Sequence, residues 1–498
     1  MDKDTLISDM LGKDTIEKWD VMTSFDQAKL NEVLSQKYKD NILVSTVKCT
    51  FQYSDLLYGE NISVDIDMKI NEPVMEFIQG SESMCKLSMT IMSGEYRLSW
   101  TEDGESMTRK KKFPEGQVTL VCNVPIAAIH GSQNSQVSGS NTVINFMPEE
   151  KDSANFVLHF QNSDLMSSAV EAAGKGQGLP APFSDPGFLN SFSTSIKGFF
   201  HDKVSSIDYT LTEITNEEVK PTFKLTPKSC IFKTNVDPDT KRKTLDIFIE
   251  TEQNQSRGSE KAYFNAGGAK TALPEGYSAS MVLSKNLLWN SYLEPQLEAT
   301  QWKSITEETA TEGVHISAKI DEKITVYKGE SSWGFRPFEE ELDLSQFPLK
   351  IVINKGKISM KWEIKYSLEY FHVWKLTKIG EYAEEGAVDL TVTCQKTSDL
   401  KFKTDGTENL HFEVGMTKDD ITFEKKIIRS RGEYAQKYID KAMEQFKNAF
   451  KPVNLKMDDL NVFALGNLLF HGAHKFKIDT INPFYVPRDL ILFGQLEQ

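Results

Sequence analysis

Cysteine is scarce, positive charge is in deficit, and no apolar run approaches the roughly 18 residues that a membrane-spanning helix requires. The cysteines, Cys49, Cys85, Cys122, Cys230 and Cys394, are scattered, odd in number and free of C-x-x-C spacing, which argues against a disulfide framework or a zinc site. Each stands in a strand-like run, where a thiol behaves as a small buried hydrophobe. Lys and Arg number 57 against 72 Asp and Glu, a formal charge of -15, whereas a nucleic-acid partner needs a positive field. The opening MDKDTLISDMLGKD has no charged segment followed by an apolar one, so no secretory signal is expected and synthesis is assigned to a cytosol.

Chemical motifs are equally sparse. There is no G-x-S-x-G, and no serine or cysteine stands in a recognisable nucleophile motif. His471 and His474 in FHGAH have an i, i+3 spacing that offers two metal ligands, but no third lies at a recognised interval, and a polar turn is the simpler reading. GKGQG, residues 174–178, lacks the Gly-Lys-Ser/Thr end of a phosphate loop and reads as linker. Glu339, Glu340 and Glu341 are neighbours in FEEELDL, and neighbours on a strand face opposite sides, so they form a solvated edge and not an acid-base pair. No catalytic residue, metal or cofactor is expected.

What the chain has in abundance is alternation. From Lys357 the sequence KISMKWEIKYSLEY places Ile358, Met360, Trp362, Ile364, Tyr366, Leu368 and Tyr370 on one parity and polar residues on the other, the signature of a strand with one buried and one wet face. At ~3.3 Å per residue it would reach roughly 45 Å. Val388, Leu390, Val392 and Cys394, then Leu410, Phe412, Val414 and Met416, continue the pattern as an antiparallel meander. The first half repeats it: Val47, Cys49, Phe51 and Tyr53, then Cys85, Leu87, Met89 and Ile91, with a break at SGE before Tyr96, Leu98 and Trp100.

Helical periodicity occurs in a few places. Ser24 and Gln27 have capping-box spacing ahead of Leu30, Val33, Leu34 and Tyr38. ASMVLSKNLLWNSYLEPQLEA, residues 279–299, puts Leu283, Leu287, Leu288, Tyr292 and Leu293 on a face. EYAQKYIDKAMEQFKNAF gathers Tyr434, Tyr438, Ile439, Ala442, Met443, Phe446, Ala449 and Phe450 into one stripe, stopped by Pro452. A short helix is expected from Asp459 to Phe470. Gly and Pro in residues 174–187 mark a linker, and the change of composition near residue 220 divides the 498 residues into domains 1–219 and 220–498.

Long one-sided sheets with few helices to cover them imply an α+β fold: long curled antiparallel sheets wrapped around amphipathic helices. Leu287, Leu288, Tyr292, Tyr438, Met443, Phe446 and Phe450 would line such a trough. An open slot would suit an acyl chain, at about 0.8 kcal/mol per buried methylene; a filled trough would be ordinary core. Arg109, Lys110, Lys111 and Lys112, ahead of Phe113, make a basic run suited to anionic head groups or an acidic partner, against the alternative of a solubilising hairpin tip. Lys241, Arg242 and Lys243 form a second basic turn.

KWDVMTSFDQAKLNEVLSQKY near the start, FKLTPKSCIF at residues 223–232 and VPRDLILFGQL at the end together resemble the OrfX-type proteins encoded beside botulinum and related clostridial neurotoxins. The resemblance runs the length of the chain. It implies the tubular lipid-binding (TULIP) superfamily, a non-enzymatic accessory role in a toxin cluster, assembly with sister OrfX-type proteins, and contact with phospholipid or an anionic membrane surface. It also implies synthesis in a bacterial cytoplasm and release by a non-classical route.

Overall fold

A computed structural model describes residues 1–498 apart from 56–58, 131–136, 141, 147–151, 163, 175, 216–224, 238, 253–257, 259–262, 269, 309–311, 331–336, 355, 377–379, 401–402, 405–409, 431–433, 458–467, 470–474, 480–484 and 498. The pair His471 and His474 and most of the helix expected at 459–470 lie outside the described residues; Leu468–Leu469 is a short strand. The chain opens with α1 (Lys3–Met10), β1 (Val21–Asp26) and α2 (Gln27–Lys39). A meander follows through β2 (Thr46–Asp55), β3 (Gly59–Ile70), β4 (Met84–Glu102), β5 (Glu105–Lys112) and β6 (Val118–His130), and then α3 (Pro186–Lys203). Next come β7 (Pro227–Val236), β8 (Lys243–Thr251), β9 (Ala279–Leu283), a π-helical turn Leu287–Leu293, α4 (Glu294–Ala299), β10 (Lys323–Glu330) and β11 (Pro337–Asp343). The last elements used below are β12 (Lys357–Leu376), β13 (Gly380–Asp399), β14 (Ile421–Arg429), α5 (Ala435–Ala449) and β15 (Leu490–Glu497).

The expected α+β architecture is present: long antiparallel sheets, curled in TULIP-like fashion, packed against a few amphipathic helices. β12 and β13 pair along 20 residues each, from Lys357 opposite Asp399 to Leu376 opposite Gly380, and the ribbon is longer than the alternation alone indicated. Trp362, Ile364, Tyr366 and Leu368 on β12 stand opposite Cys394, Val392, Leu390 and Val388 on β13, all buried, as are Ile358 and Met360 on the same parity of β12. α5 covers that face. In the first half α3 does the same for β2, with Phe188, Phe192, Ile196 and Phe200 buried at helical spacing.

A separate sheet is drawn from both ends of the chain. β9 lies between β1 and β15, with Leu283 opposite Val21 on one side and Leu490 on the other. β1 also takes β8, and β8 takes β7. Backbone hydrogen bonds of this sheet therefore cross the boundary expected near residue 220. Two buried carboxylates anchor the end of β9. Asp489 accepts from the Thr15 N–H at 2.8 Å, the Thr15 hydroxyl at 2.7 Å and the Lys285 N–H at 3.0 Å. Asp20 accepts from the Thr251 N–H at 2.7 Å and its hydroxyl at 2.8 Å, and the Asp20 carbonyl accepts from the Ser284 N–H at 2.8 Å. The Trp-Asp and Pro-x-Asp signatures, 469 positions apart by their aspartates (489 minus 20), thus meet at one point of the fold.

Several local expectations change. Ser24 is not a cap: it is buried in β1, and Asp26 caps α2 by accepting from the Ala28 N–H at 2.7 Å. Ala279–Leu283 is a strand and not the first turn of a helix, because both its edges find partners and all its residues are buried. β4 runs through the SGE break with a bulge, and Gly94 (φ 149°) is required there since a Cβ would lie 2.6 Å from the Asp67 carbonyl. Gly494 sits within β15, where a Cβ would lie 2.3 Å from the Lys477 carbonyl.

One row of the shared sheet is polar and dry. Ser24 stands opposite Asp246 and Ser280, with Thr244 two residues from Asp246, and all are at most 1% exposed. The Asp246 carboxylate oxygens make no hydrogen bond of good geometry to the described protein. Burial pushes the carboxyl from 3.8 up to about 6, opposed by the nearby Ser24 and Thr244 hydroxyls. Because the folded value is the higher one, its stabilising contribution is complete below about pH 4 and lost as pH rises through about 6. Asp246→Asn is expected to stabilise the fold by about 1 to 3 kcal/mol at pH 7.5 and to make little difference at pH 4, read by urea unfolding at both pH values. Asp489→Ala, which leaves three buried donors without an acceptor, is expected to destabilise by about 2 to 4 kcal/mol in the same assay.

Candidate functional site

The trough beneath α5 starts from a helix whose apolar residues recur every three or four positions and whose N-terminal half meets tyrosines while its C-terminal half meets tryptophans. Phe446 packs edge-on to Tyr366 at 6.1 Å. Phe450, where the helix ends ahead of Pro452, lies 5.3 Å from Trp362 and 6.3 Å from Trp302. The two indoles are held in place by their N–H groups, Trp302 donating to the Lys451 carbonyl at 3.1 Å and Trp362 to the Phe347 carbonyl at 3.0 Å. Leu287, Leu288 and Tyr292, on the π-helical turn, join the same apolar cluster.

The opposite end is aromatic and polar. Tyr438 stacks between Tyr370 at 5.0 Å and Tyr327 at 5.9 Å, each with planes 17° apart. His372 Nδ1 lies 2.8 Å from the Tyr438 hydroxyl, and the His372 ring stacks on Tyr434 at 3.9 Å. The Tyr370 hydroxyl donates to Glu384 at 3.1 Å and lies 2.9 Å from Ser430 Oγ, so the buried Glu384 carboxylate has a partner on the same face of the sheet. Gly386, opposite Tyr370, admits that ring: a Cβ would lie 2.0 Å from it.

Tyr438, Phe446 and Phe450 are brought against Tyr370, Tyr366, Trp362 and Trp302 of the facing elements, and Leu287, Leu288 and Tyr292 are buried on their turn. Tyr438, Phe446 and Phe450 are 0% exposed and Leu287, Leu288 and Tyr292 no more than 6%; Met443 is partly buried at the flank. Side chains buried to this degree leave no room for an acyl chain at those positions. Clefts on the outer surface are different in kind. One of about 560 Å³ is lined by Lys365, Asp389, Glu424 and Lys426 among others, and one of about 500 Å³ by Glu76, Lys86, Lys241 and Lys243 among others.

The basic run falls elsewhere. Arg109, Lys110, Lys111 and Lys112 belong to β5, whose pairing is with β4 alone among the described residues, and β5 is exposed along almost its whole length. The run is a strand edge and not a hairpin tip; the tip is Asp103 and Gly104, both at positive φ. Arg97, opposite Lys110, adds to the positive face, and Glu95 offsets it through an ion pair with Lys110 at 3.1 Å. Phe113 turns inward, stacked 5.7 Å from Phe183 in the α3 cluster. Lys241 occupies the turn between β7 and β8 at φ 60°.

Sequence reasoning missed α3 and with it the second filled trough of Phe51, Phe113, Phe183, Phe188 and Phe192. The signal was there: Asp185 before Pro186 is a helix start, with Phe188, Phe192, Ile196 and Phe200 four apart, but it lay against a Gly- and Pro-rich linker. The buried thiols are inert. Burial raises Cys85 and Cys230 far above the ordinary range and Cys122 to about 12, so none supplies thiolate near neutrality.

Neither a family model nor a curated protein sequence matches the chain. Among solved structures, P47 from Clostridium botulinum A2 aligns over 97% of this chain and 99% of its own at 12% identity and a TM-score of 0.52. P47 of Clostridium botulinum E1 aligns over 97% of this chain and 100% of its own at 13% identity, with a TM-score of 0.49. A lipopolysaccharide binding protein aligns over 96% of this chain and 99% of its own at 10% identity, with a TM-score of 0.27. The first of these shows the fold shared from end to end, in keeping with the resemblance carried by the terminal signatures.

If α5 is a packed core helix, Phe446→Ala should cost about 3 to 5 kcal/mol, measured by chemical unfolding. A loss below about 1 kcal/mol would show a loosely filled trough.

Proposed function

We propose that this chain is a non-enzymatic accessory protein of a clostridial-type toxin cluster that works by assembling with sister OrfX-type proteins through its outer strands, its apolar troughs serving as core. The observation that carries this reading is the packing of Trp302, Trp362, Tyr366, Tyr370 and Tyr327 against Tyr438, Phe446 and Phe450 of the α5 stripe. A tube filled by its own aromatic side chains has no room to carry an acyl chain, and recognition then falls to the surface. The accessory role draws its support from the terminal signatures and from the fold shared with P47.

The exposed basic strand favours a second reading, contact with anionic lipid at the surface. Arg109, Lys110 and Lys112 project from an edge in a protein that is otherwise acidic, a local attraction of about 1 kcal/mol per cation near an anionic membrane. The tube stays closed in both readings.

Native mass spectrometry of protein purified without detergent is expected to show the bare chain mass, and stoichiometric lipid would overturn the closed-trough reading. Flotation with vesicles of phosphatidylcholine containing phosphatidylserine separates the two surfaces: binding lost on R109E/K110E/K112E assigns the strand to the membrane. No flotation, together with co-elution of a co-expressed sister protein on size exclusion, assigns it to assembly.

A further inference from the structure

Among the end strands of the sheet that holds β12 and β13, two have opposite character. At one side β11 pairs with β10 alone, and at the other β14 pairs with β13 alone, among the described residues. Each therefore presents a row of backbone groups ready to accept another strand. β11 reads Phe338, Glu339, Glu340, Glu341, and β14 reads Lys425, Lys426, Ile427, Ile428, Arg429. Apolar surface stands open on both: Phe338 is 46% exposed, Ile427 55% and Ile428 53%. Strand edges of natural proteins are ordinarily blunted against such exposure, and here the charges blunt only like against like.

We propose that β11 of one copy of this chain adds to β14 of a second copy as an antiparallel strand, joining the two sheets head to tail. The order of residues selects the direction. In β11 the aromatic precedes the acids and in β14 the bases precede the isoleucines, so only an antiparallel alignment sets Phe338 against Ile427 and Ile428 while Glu339 and Glu340 meet Lys425 and Lys426. The charges are available for it. Glu339 and Lys426 make no ion pair with any described residue, and the remaining pairs are local and wet: Glu341 with Lys323 at 3.2 Å, Arg429 with Glu385 at 3.6 Å. Glu340 and Lys425 are already engaged, Glu340 binding Lys328 and accepting from the Tyr366 hydroxyl at 2.8 Å, and Lys425 donating to Gln436 Oε1. A β11 edge repels another β11 and a β14 edge repels another β14, which disfavours a two-fold dimer and leaves the heterologous pairing. This surface is distinct from the β5 edge and does not depend on how that edge is used.

The test is sedimentation velocity of the full chain from low to high micromolar concentration, at low and at physiological salt, with charge-reversed variants. Self-association that grows with concentration and weakens with salt is expected for the wild type. K426E and E339K, which disturb no ion pair among the described residues, should each weaken it severalfold. An equimolar mixture of the two variants restores complementary edges and should associate again, which also shows that both are folded. A wild type that stays monomeric at the highest concentration overturns the proposal. So does association that both variants retain, or binding only to a sister protein with no self-association.

Discussion

The interaction on which the fold depends is the capture of β9 between a strand from the start of the chain and a strand from its end. β9 is only Ala279–Leu283, and an isolated five-residue strand has no stability of its own; it persists because β1 and β15 supply hydrogen bonds on both edges and apolar residues on both faces. The two aspartates sharpen this. Asp20 and Asp489 place acceptors where the chain enters β1 and β15, on donors from Thr15, Thr251 and Lys285 that would otherwise be buried without partners. The terminal motifs are thus statements about closure of the molecule, and the same residues that give the chain its resemblance to OrfX-type proteins are those that tie its ends together.

With the ends tied, the helices have fixed sheets to cover. The two troughs are solved by the same means, an amphipathic helix whose stripe meets rings from the sheet: phenylalanines over α3, tyrosines and tryptophans over α5. Rings pack at angles that leave few gaps, and hydroxyl and indole groups at the margins find backbone or carboxylate partners. The outer surface carries a basic edge at β5, a basic and apolar edge at β14 and an acidic edge at β11.

Much of this was legible in local pattern, and the misses have physical causes. The β12 alternation and the α5 stripe were readable because each has a strong period and a buried face. Ala279–Leu283 was read as helix because a short run of small and branched residues fits either period, and its neighbours arrive from residues 21 and 490. α3 escaped because its cap stands inside linker-like composition. The trough residues were named, but whether they enclose a slot was left open by the sequence.

Side chains read a few positions apart were enough to say which faces are apolar and which segments alternate as strands, and the sequence contains no dedicated nucleophile or metal motif. Only the assembled fold says how far the principal strands extend, which of them share a sheet, and that residues from both ends of the chain share one. Those depend on contacts between residues far apart in the chain, where register, and not periodicity, determines which strands pair.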